Sequence, residues 1–281
     1  MAQARPRSQR PDYTIDQEWE RYTAAEHAVW RNLFERQARL LAGRACDEFV
    51  AGIDALGVAA DGIPDFRRLN DGLDRATGWR IVAVPGLVPD DIFFAHLANR
   101  RFPSTCFIRR PDQLDYIQEP DVFHDVFGHL PMLVNPVFGD YMQAYGQGGL
   151  KALGLGSLPH LARLYWYTVE FGLIRGSDGL RIYGSGIVSS KGESVYCLDS
   201  PIPHRLGFDL IRIMRTRYRI DAFQEVYFVL DGFEQLFEAT RPDFTPYYDQ
   251  LKTLSELAPG DVLLEDQAIS RGGGLQNPAK Q

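Results

Sequence analysis

Two histidines, His124 and His129, lie five positions apart in the apolar stretch Glu119–Pro131, which reads EPDVFHDVFGHLP. Residues four apart share one face of an α-helix, whereas residues five apart diverge by about 140° at 3.6 residues per turn. For both imidazoles to reach one metal ion, the helix must therefore widen into an i→i+5 turn or end there. Gly128 and Pro131 are residue types that permit such an ending. The spacing predicts a metal site at a distorted helix.

A third ligand is needed, and Glu170 is the best candidate. It lies in the apolar, aromatic stretch Leu161–Leu173, which reads LARLYWYTVEFGL. A carboxylate in so apolar a run is costly to bury unless it is paired or bound to a cation. Two histidines and one carboxylate form the facial triad of non-haem Fe(II) oxygenases. On residues alone two alternatives stay open: the histidines could be hydrogen-bonded core side chains, and Glu170 could pair with an arginine.

Three motifs in order resemble the aromatic amino acid hydroxylases, a pterin-dependent family. They are EPDVFHDVFGHLP, YWYTVEFGL and YGSGIVSSKGE (Tyr183–Glu193). The resemblance covers residues 12 to 250, and the short chain is similar to bacterial members that act on phenylalanine. Together with the pattern of elements it implies one catalytic domain at residues 12–267, of the α+β class and predominantly helical with a few short strands. A disordered arm at residues 1–11 and a disordered tail at residues 268–281 are expected to flank it.

The activity that the resemblance implies is hydroxylation of L-phenylalanine to L-tyrosine. Dioxygen and a tetrahydropterin (tetrahydrobiopterin or a related one) would be consumed at Fe(II) held by His124, His129 and Glu170. Tryptophan or tyrosine is the alternative substrate within the family. Ile220 favours phenylalanine, because tyrosine hydroxylases tend to carry an acidic residue at that position. The chain shows no counterpart of the regulatory domain or the tetramer-forming helix of the animal enzymes, so we expect a monomer.

Several further residues take roles by resemblance. Arg109 resembles the arginine that binds the substrate carboxylate, a role that suits a planar guanidinium with two parallel hydrogen bonds. Glu193 resembles the acid that holds this arginine, and Tyr116 resembles a mobile tyrosine at the pocket. The other implied substrate contacts are Asp121, Trp166, Phe171 and Ser189. The implied pterin contacts are Val84, Gly86, Leu87, Val88, Phe93 and Asp125.

Composition narrows the function classes. The net charge of −7 argues against nucleic acid or an anionic membrane as the main partner. Three cysteines without a CxxC pair indicate reduced thiols, and no apolar run approaches transmembrane length, so we expect a soluble cytoplasmic protein.

Two rival function classes remain for the predicted metal site. One is a zinc hydrolase, although the HExxH motif is missing; the other is a non-catalytic metal-binding protein with the same fold.

Local patterns predict individual elements. Thr23 and Glu26 have the spacing of a capping box ahead of a helix that runs to about Leu41. The glycine-rich segment Gly146–Gly156 is predicted to be a flexible loop, since no phosphate-binding lysine pattern follows a clear strand there. Ser194–Cys197 is predicted to be a short strand.

Overall fold

The computed structural model describes residues 9–273 of the 281-residue chain. Residues 1–8 of the predicted arm and residues 274–281 of the predicted tail lie outside the described residues. The helices are α1 (Ala24–Leu41), α2 (Asp47–Leu56), α3 (Phe66–Thr77), α4 (Asp90–Ala98), α5 (Leu130–Leu133), α6 (Pro136–Gly154), α7 (Leu158–Tyr165), α8 (Ser185–Val188), α9 (Lys191–Asp199), α10 (Leu210–Met214), α11 (Phe233–Thr240) and α12 (Thr245–Leu251). The strands are β1 (Arg80–Val84), β2 (Arg101–Thr105), β3 (Leu173–Gly176), β4 (Gly179–Ile182), β5 (His204–Gly207), β6 (Val226–Leu230) and β7 (Ala268–Ser270). The predicted α+β class with helices predominating is confirmed.

Helix α1 begins at the predicted capping box. The Glu26 backbone N–H donates to Thr23 Oγ1 at 3.2 Å, and the Thr23 N–H donates to Glu26 Oε2 at 2.7 Å. These two bonds satisfy donors that a helix start otherwise leaves unpaired. Trp30 and Leu33 then repeat at helical spacing on the face that α1 buries in the core.

The strands form two small sheets. Strands β1 and β2 pair in parallel, and α4 connects them. The other sheet has the order β4-β3-β6-β5-β7, with parallel pairs at its centre and antiparallel pairs at its edges. Strand β7 lies in the segment that we predicted to be a disordered tail. That prediction is wrong for residues 268–270, which pair with β5.

Two element predictions are also wrong. Gly146–Gly156 is not a loop, because most of it belongs to α6. Its glycines give space for packing instead: a Cβ at Gly149 would lie 2.0 Å from the Phe94 ring. Ser194–Cys197 is part of helix α9 and not a strand, since Ser190 caps that helix by accepting from the Glu193 N–H.

Helix α8 packs against both of the segments that carry the predicted metal ligands. It follows β4 and packs against the turn at His124–His129 and the turn at Trp166–Glu170, both of which have π-helical geometry. Helix α5 continues the first of these turns and packs closely on α2, where a Cβ at Gly52 would lie 2.1 Å from the Pro131 carbonyl oxygen. The core therefore holds both turns from several sides. Within the described residues, no helix combines the length and apolar character that a membrane crossing needs.

Candidate active site

The two histidines lie at the ends of one π-helical turn, His124–His129. The i→i+5 turn holds more residues than an α-helical turn and places the two Nε2 atoms 3.1 Å apart, although the residues are five positions apart. The predicted widening is confirmed, and the helix does not end there because α5 follows directly. Gly128 serves close packing, since a Cβ at this position would lie 3.0 Å from the Ser185 carbonyl oxygen.

Glu170 joins this pair from the second π-helical turn, Trp166–Glu170, at the end of α7. Its Oε1 lies 3.3 Å from His129 Nε2, and its Oε2 lies 3.7 Å from His124 Nε2. One ligand atom from each of the three residues lies within 4.8 Å of the other two. Ser185 Oγ donates to Glu170 Oε2 at 3.0 Å and orients the carboxylate. The side chains that face the Glu170 carboxylate are thus the two histidines and Ser185, so the arginine alternative is wrong.

Hydrogen bonds fix which nitrogen of His124 carries its proton. Ser189 Oγ donates its proton to the Ser185 carbonyl oxygen at 2.7 Å, so toward His124 Nδ1, 2.9 Å away, the hydroxyl can only accept. Nδ1 therefore carries the hydrogen, and the Nε2 lone pair points toward His129 and Glu170. Burial lowers the pKa of His124 to about 4, which keeps the ring neutral at neutral pH.

The charge of the cluster suits a divalent cation. Burial alone would raise the pKa of Glu170, but the attraction of His129 and His124 and the hydrogen bonds lower it to about 2. Two imidazole nitrogens and an ionised carboxylate thus converge, and their lone pairs repel one another unless a cation lies between them. The donor set is that of a 2-His-1-carboxylate site.

A cavity of about 360 Å³ opens onto this cluster, a size typical of small-molecule sites. His124 and Glu170 lie in its wall, aromatic rings form much of the remainder, and Arg109 supplies the positive charge. The lining residues are Arg109, Asp115, Tyr116, Ile117, Gln118, Pro120, His124, Tyr165, Trp166, Glu170, Phe171, Gly186, Ser189, Ser190 and Ile220. A ligand with a carboxylate at one end and an aromatic ring at the other fits this distribution.

Arg109 is held by Asp121 and not, as predicted, by Glu193. Arg109 Nε donates to Asp121 Oδ2 at 2.8 Å, and Nη2 donates to Oδ1 at 2.9 Å, both in a buried environment. Burial would raise the pKa of Asp121, but the hydrogen bonds and charge of Arg109 lower it. Asp121 thus acts on the substrate site through Arg109. The sequence could not distinguish the two carboxylates, because both are acids near the predicted motifs.

Glu193 is fully buried behind the cavity wall. Its Oε1 accepts from the Gln224 backbone N–H at 3.1 Å and from the Tyr227 hydroxyl. The Gln224 side chain in turn accepts from the indole of Trp166, which lines the cavity. Gln224 was not predicted from the sequence. The only available signal was one amide between Phe223 and Glu225, just ahead of an apolar run, which does not identify its partner.

Tyr116 and Ile220 lie where the cavity meets solvent. Both line it, with 38% of Tyr116 and 53% of Ile220 exposed. Phe171 and Ser189, which we predicted to contact the substrate, also lie in the lining. Of the predicted substrate contacts, Asp121 and Glu193 support the lining from behind.

The segment predicted to contact the pterin lies next to the metal-binding turn. Val84 pairs with Thr105 across β1 and β2, and Thr105 donates through its N–H to Asp125 Oδ2 at 2.9 Å. Burial raises the pKa of Asp125 to about 7. Phe93 contacts Tyr165, with ring centroids 6.2 Å apart. The other predicted pterin contacts are half-buried Gly86, exposed Leu87 and half-buried Val88.

Comparison with known proteins agrees with this geometry. Residues 13–252 match the family model described as biopterin-dependent aromatic amino acid hydroxylase. The chain is 68% identical over 263 residues to a phenylalanine-4-hydroxylase of Ralstonia nicotianae, which covers 94% of this chain and 84% of that protein. It is 62% identical over 261 residues to the phenylalanine-4-hydroxylase of Chromobacterium violaceum, covering 93% of this chain and 88% of that one.

Solved structures of the Chromobacterium violaceum phenylalanine hydroxylase have the same fold. One with bound oxidized Fe(III) superposes with a TM-score of 0.91 at 62% identity, covering 93% of this chain and 96% of that one. Another with bound iron(III) and oxidized cofactor 7,8-dihydrobiopterin superposes with a TM-score of 0.90 at 61% identity, covering 93% of this chain and 95% of that one.

Proposed function

The chain belongs to the biopterin-dependent aromatic amino acid hydroxylases, and from this premise we propose that it hydroxylates L-phenylalanine to L-tyrosine. The reaction consumes dioxygen and a tetrahydropterin. The observation that carries the proposal is the 2-His-1-carboxylate cluster in the wall of a cavity that also holds Arg109. The bacterial relatives named as phenylalanine-4-hydroxylases support phenylalanine over tryptophan or tyrosine as the substrate.

His124, His129 and Glu170 are the residues that would hold Fe(II), and their donor set fits it. Iron and the tetrahydropterin supply the reduction of dioxygen that the reaction requires. The chain's own residues position the substrate. Three of the five guanidinium N–H groups of Arg109 are engaged by Asp121 and Leu114, and the others, one on each terminal nitrogen, can bind the substrate carboxylate.

The aromatic part of the cavity then receives the phenylalanine ring beside the metal cluster. Trp166, Phe171 and Tyr165 exclude water from that ring, which favours a coupled reaction over loss of the oxidant. We place Tyr116 at the entrance and Ser189 behind His124. We place the pterin next to the segment Val84–Val88 and Phe93, with Asp125 close by, and the structure of the relative with 7,8-dihydrobiopterin supports a pterin site in this fold.

We further propose a cytoplasmic monomer. The exposed large apolar residues are scattered over several elements, which favours a chain that does not bury a large interface. Light scattering of the purified protein at two concentrations tests this, and a dimer mass at both would contradict it.

The decisive experiment for the reaction is tyrosine formation by metal-stripped protein supplied with Fe(II) or Zn(II) and a tetrahydropterin. We expect turnover with iron and none with zinc, and faster turnover of phenylalanine than of tryptophan or tyrosine. Bound iron without turnover would overturn the proposal in favour of a metal-binding protein. Metal-dependent hydrolysis with zinc would favour a hydrolase instead.

A further inference from the structure

The indole of Trp166 forms part of the cavity wall and touches two other rings. Its ring stacks on Tyr218, with centroids 4.3 Å apart and planes at 13°, and it contacts Phe171 at 4.6 Å. Stacking resists tilting of a ring but tolerates rotation within its own plane. One directional contact removes that freedom: Trp166 Nε1 donates to Gln224 Oε1 at 2.8 Å.

Gln224 is itself held in one orientation. Its Nε2 donates to the carbonyl oxygens of Arg219 at 3.2 Å and Ala222 at 3.4 Å. Both neighbours are acceptors, so the amide cannot flip, and its oxygen must face the indole. The side chain is buried, and its backbone N–H donates to Glu193 Oε1. Gln224 therefore presents a fixed acceptor to Trp166 from behind the wall.

We propose that Gln224 is a positioning residue for the aromatic ring of the substrate. By fixing the indole of Trp166 in its plane, it sets the width of the cavity beside Glu170. This inference rests on the proposed function for the identity of the ligand. Without the acceptor, the indole N–H must find another partner, and the cavity is the open space that the ring faces. The indole then rotates into the part of the cavity that the substrate ring occupies, and substrate binding has to rotate it back.

The test is Gln224→Met, which keeps the length of the side chain and removes the acceptor. We expect the KM for phenylalanine to rise about tenfold, as for a donor left without its partner, while kcat stays within about twofold because a saturating substrate restores the wall. Gln143→Met is the matched control. Gln143 is half-buried and, like Gln224, bonded through both ends of its amide, here to Arg100 and Ala98, but it lies in α6. We expect its KM to stay at the wild-type value.

If Gln224 served only the stability of the fold, its effect on KM would not depend on the Trp166 N–H. A double variant distinguishes this role from positioning of Trp166. In a Trp166→Phe background, which lacks the N–H, Gln224→Met should raise KM no further. An equal rise in both backgrounds, or an unchanged KM in Gln224→Met alone, would overturn the proposal. If the methionine variant does not fold, Gln224→Asn keeps an amide, shortens the side chain by one methylene and should raise KM in the same direction.

A measurement without turnover distinguishes failure of this inference from failure of the proposed function. The stacked Trp166 and Tyr218 contribute to the near-ultraviolet circular dichroism of the protein. Gln224→Met should change that spectrum, and Gln143→Met should not. An unchanged spectrum refutes the positioning contact even in an active enzyme, whereas a wild type that forms no tyrosine refutes the function and leaves the spectral comparison valid.

Discussion

Arg109→Lys should weaken L-phenylalanine binding strongly and leave the metal centre intact. Lysine keeps the positive charge beside Asp121, whereas Arg109→Ala would leave that buried carboxylate without its partner, at a cost to folding of about 3–5 kcal/mol. An ammonium group is a single point with three donors. It cannot hold Asp121 through two bonds and also offer two parallel bonds to a second carboxylate.

The size of the effect follows from the donors that are lost. In Arg109, Nε and Nη2 donate to Asp121 and Nη1 donates to Leu114, which leaves two N–H groups for the substrate. A hydrogen bond to a charged group contributes about 1.5–3 kcal/mol, so losing both at the lower value costs about 3 kcal/mol. Since about 1.4 kcal/mol is tenfold, the KM for L-phenylalanine should rise about 100-fold.

The assay compares two ligands in wild type and variant. L-phenylalanine carries the carboxylate, and 2-phenylethylamine has the same ring and amine without it. The inhibition constant of 2-phenylethylamine should be the same in both proteins, and iron content should also be unchanged. Equal losses for the two ligands would refute the carboxylate contact and indicate general damage. A wild-type KM for L-phenylalanine would refute it as well.

Three other substitutions test the metal site and the packing. Glu170→Ala should abolish iron binding by elemental analysis, and a normal iron content would remove this residue from the ligand set. Thr23→Ala should lower the free energy of unfolding in urea by about 1 kcal/mol, because a helix cap is lost; no change would mean that the capping box contributes nothing. Gly146→Ala should lower it by about 3 kcal/mol, because its Cβ would lie 2.3 Å from the Ala98 backbone nitrogen. Gly148→Ala in the same helix is the control and should not destabilise, since no atom lies within 4 Å of the added Cβ; equal losses in both would contradict the packing argument.

Features that depend on local geometry could be predicted from the sequence. The spacing of His124 and His129 predicted a widened turn because an α-helix has a fixed number of residues per turn. The structure has that widened turn. The capping box at Thr23 was predictable for the same reason, since its two bonds join residues three apart.

Features that depend on distant contacts could not be predicted. Asp121 and Glu193 are both carboxylates near the motifs, and only the folded chain shows which of them meets Arg109. Gly146 and Gly149 looked like flexible positions, but α4 lies so close to α6 that a larger residue has no space there. A glycine needed for close packing and a glycine needed for flexibility look the same in a sequence.

The π-helical turn at His124–His129 also changes the phase of the helix that contains it. It holds one residue more than an α-helical turn, so the apolar positions after it are rotated by about 100° relative to those before it. Val122 and Phe123 ahead of the turn and Met132 and Leu133 after it are all buried, so the core surrounds this helix on both sides of the turn. A designer who moves this metal site onto a regular α-helix should therefore remove one residue between the histidines, because His-x3-His reproduces there what His-x4-His achieves here.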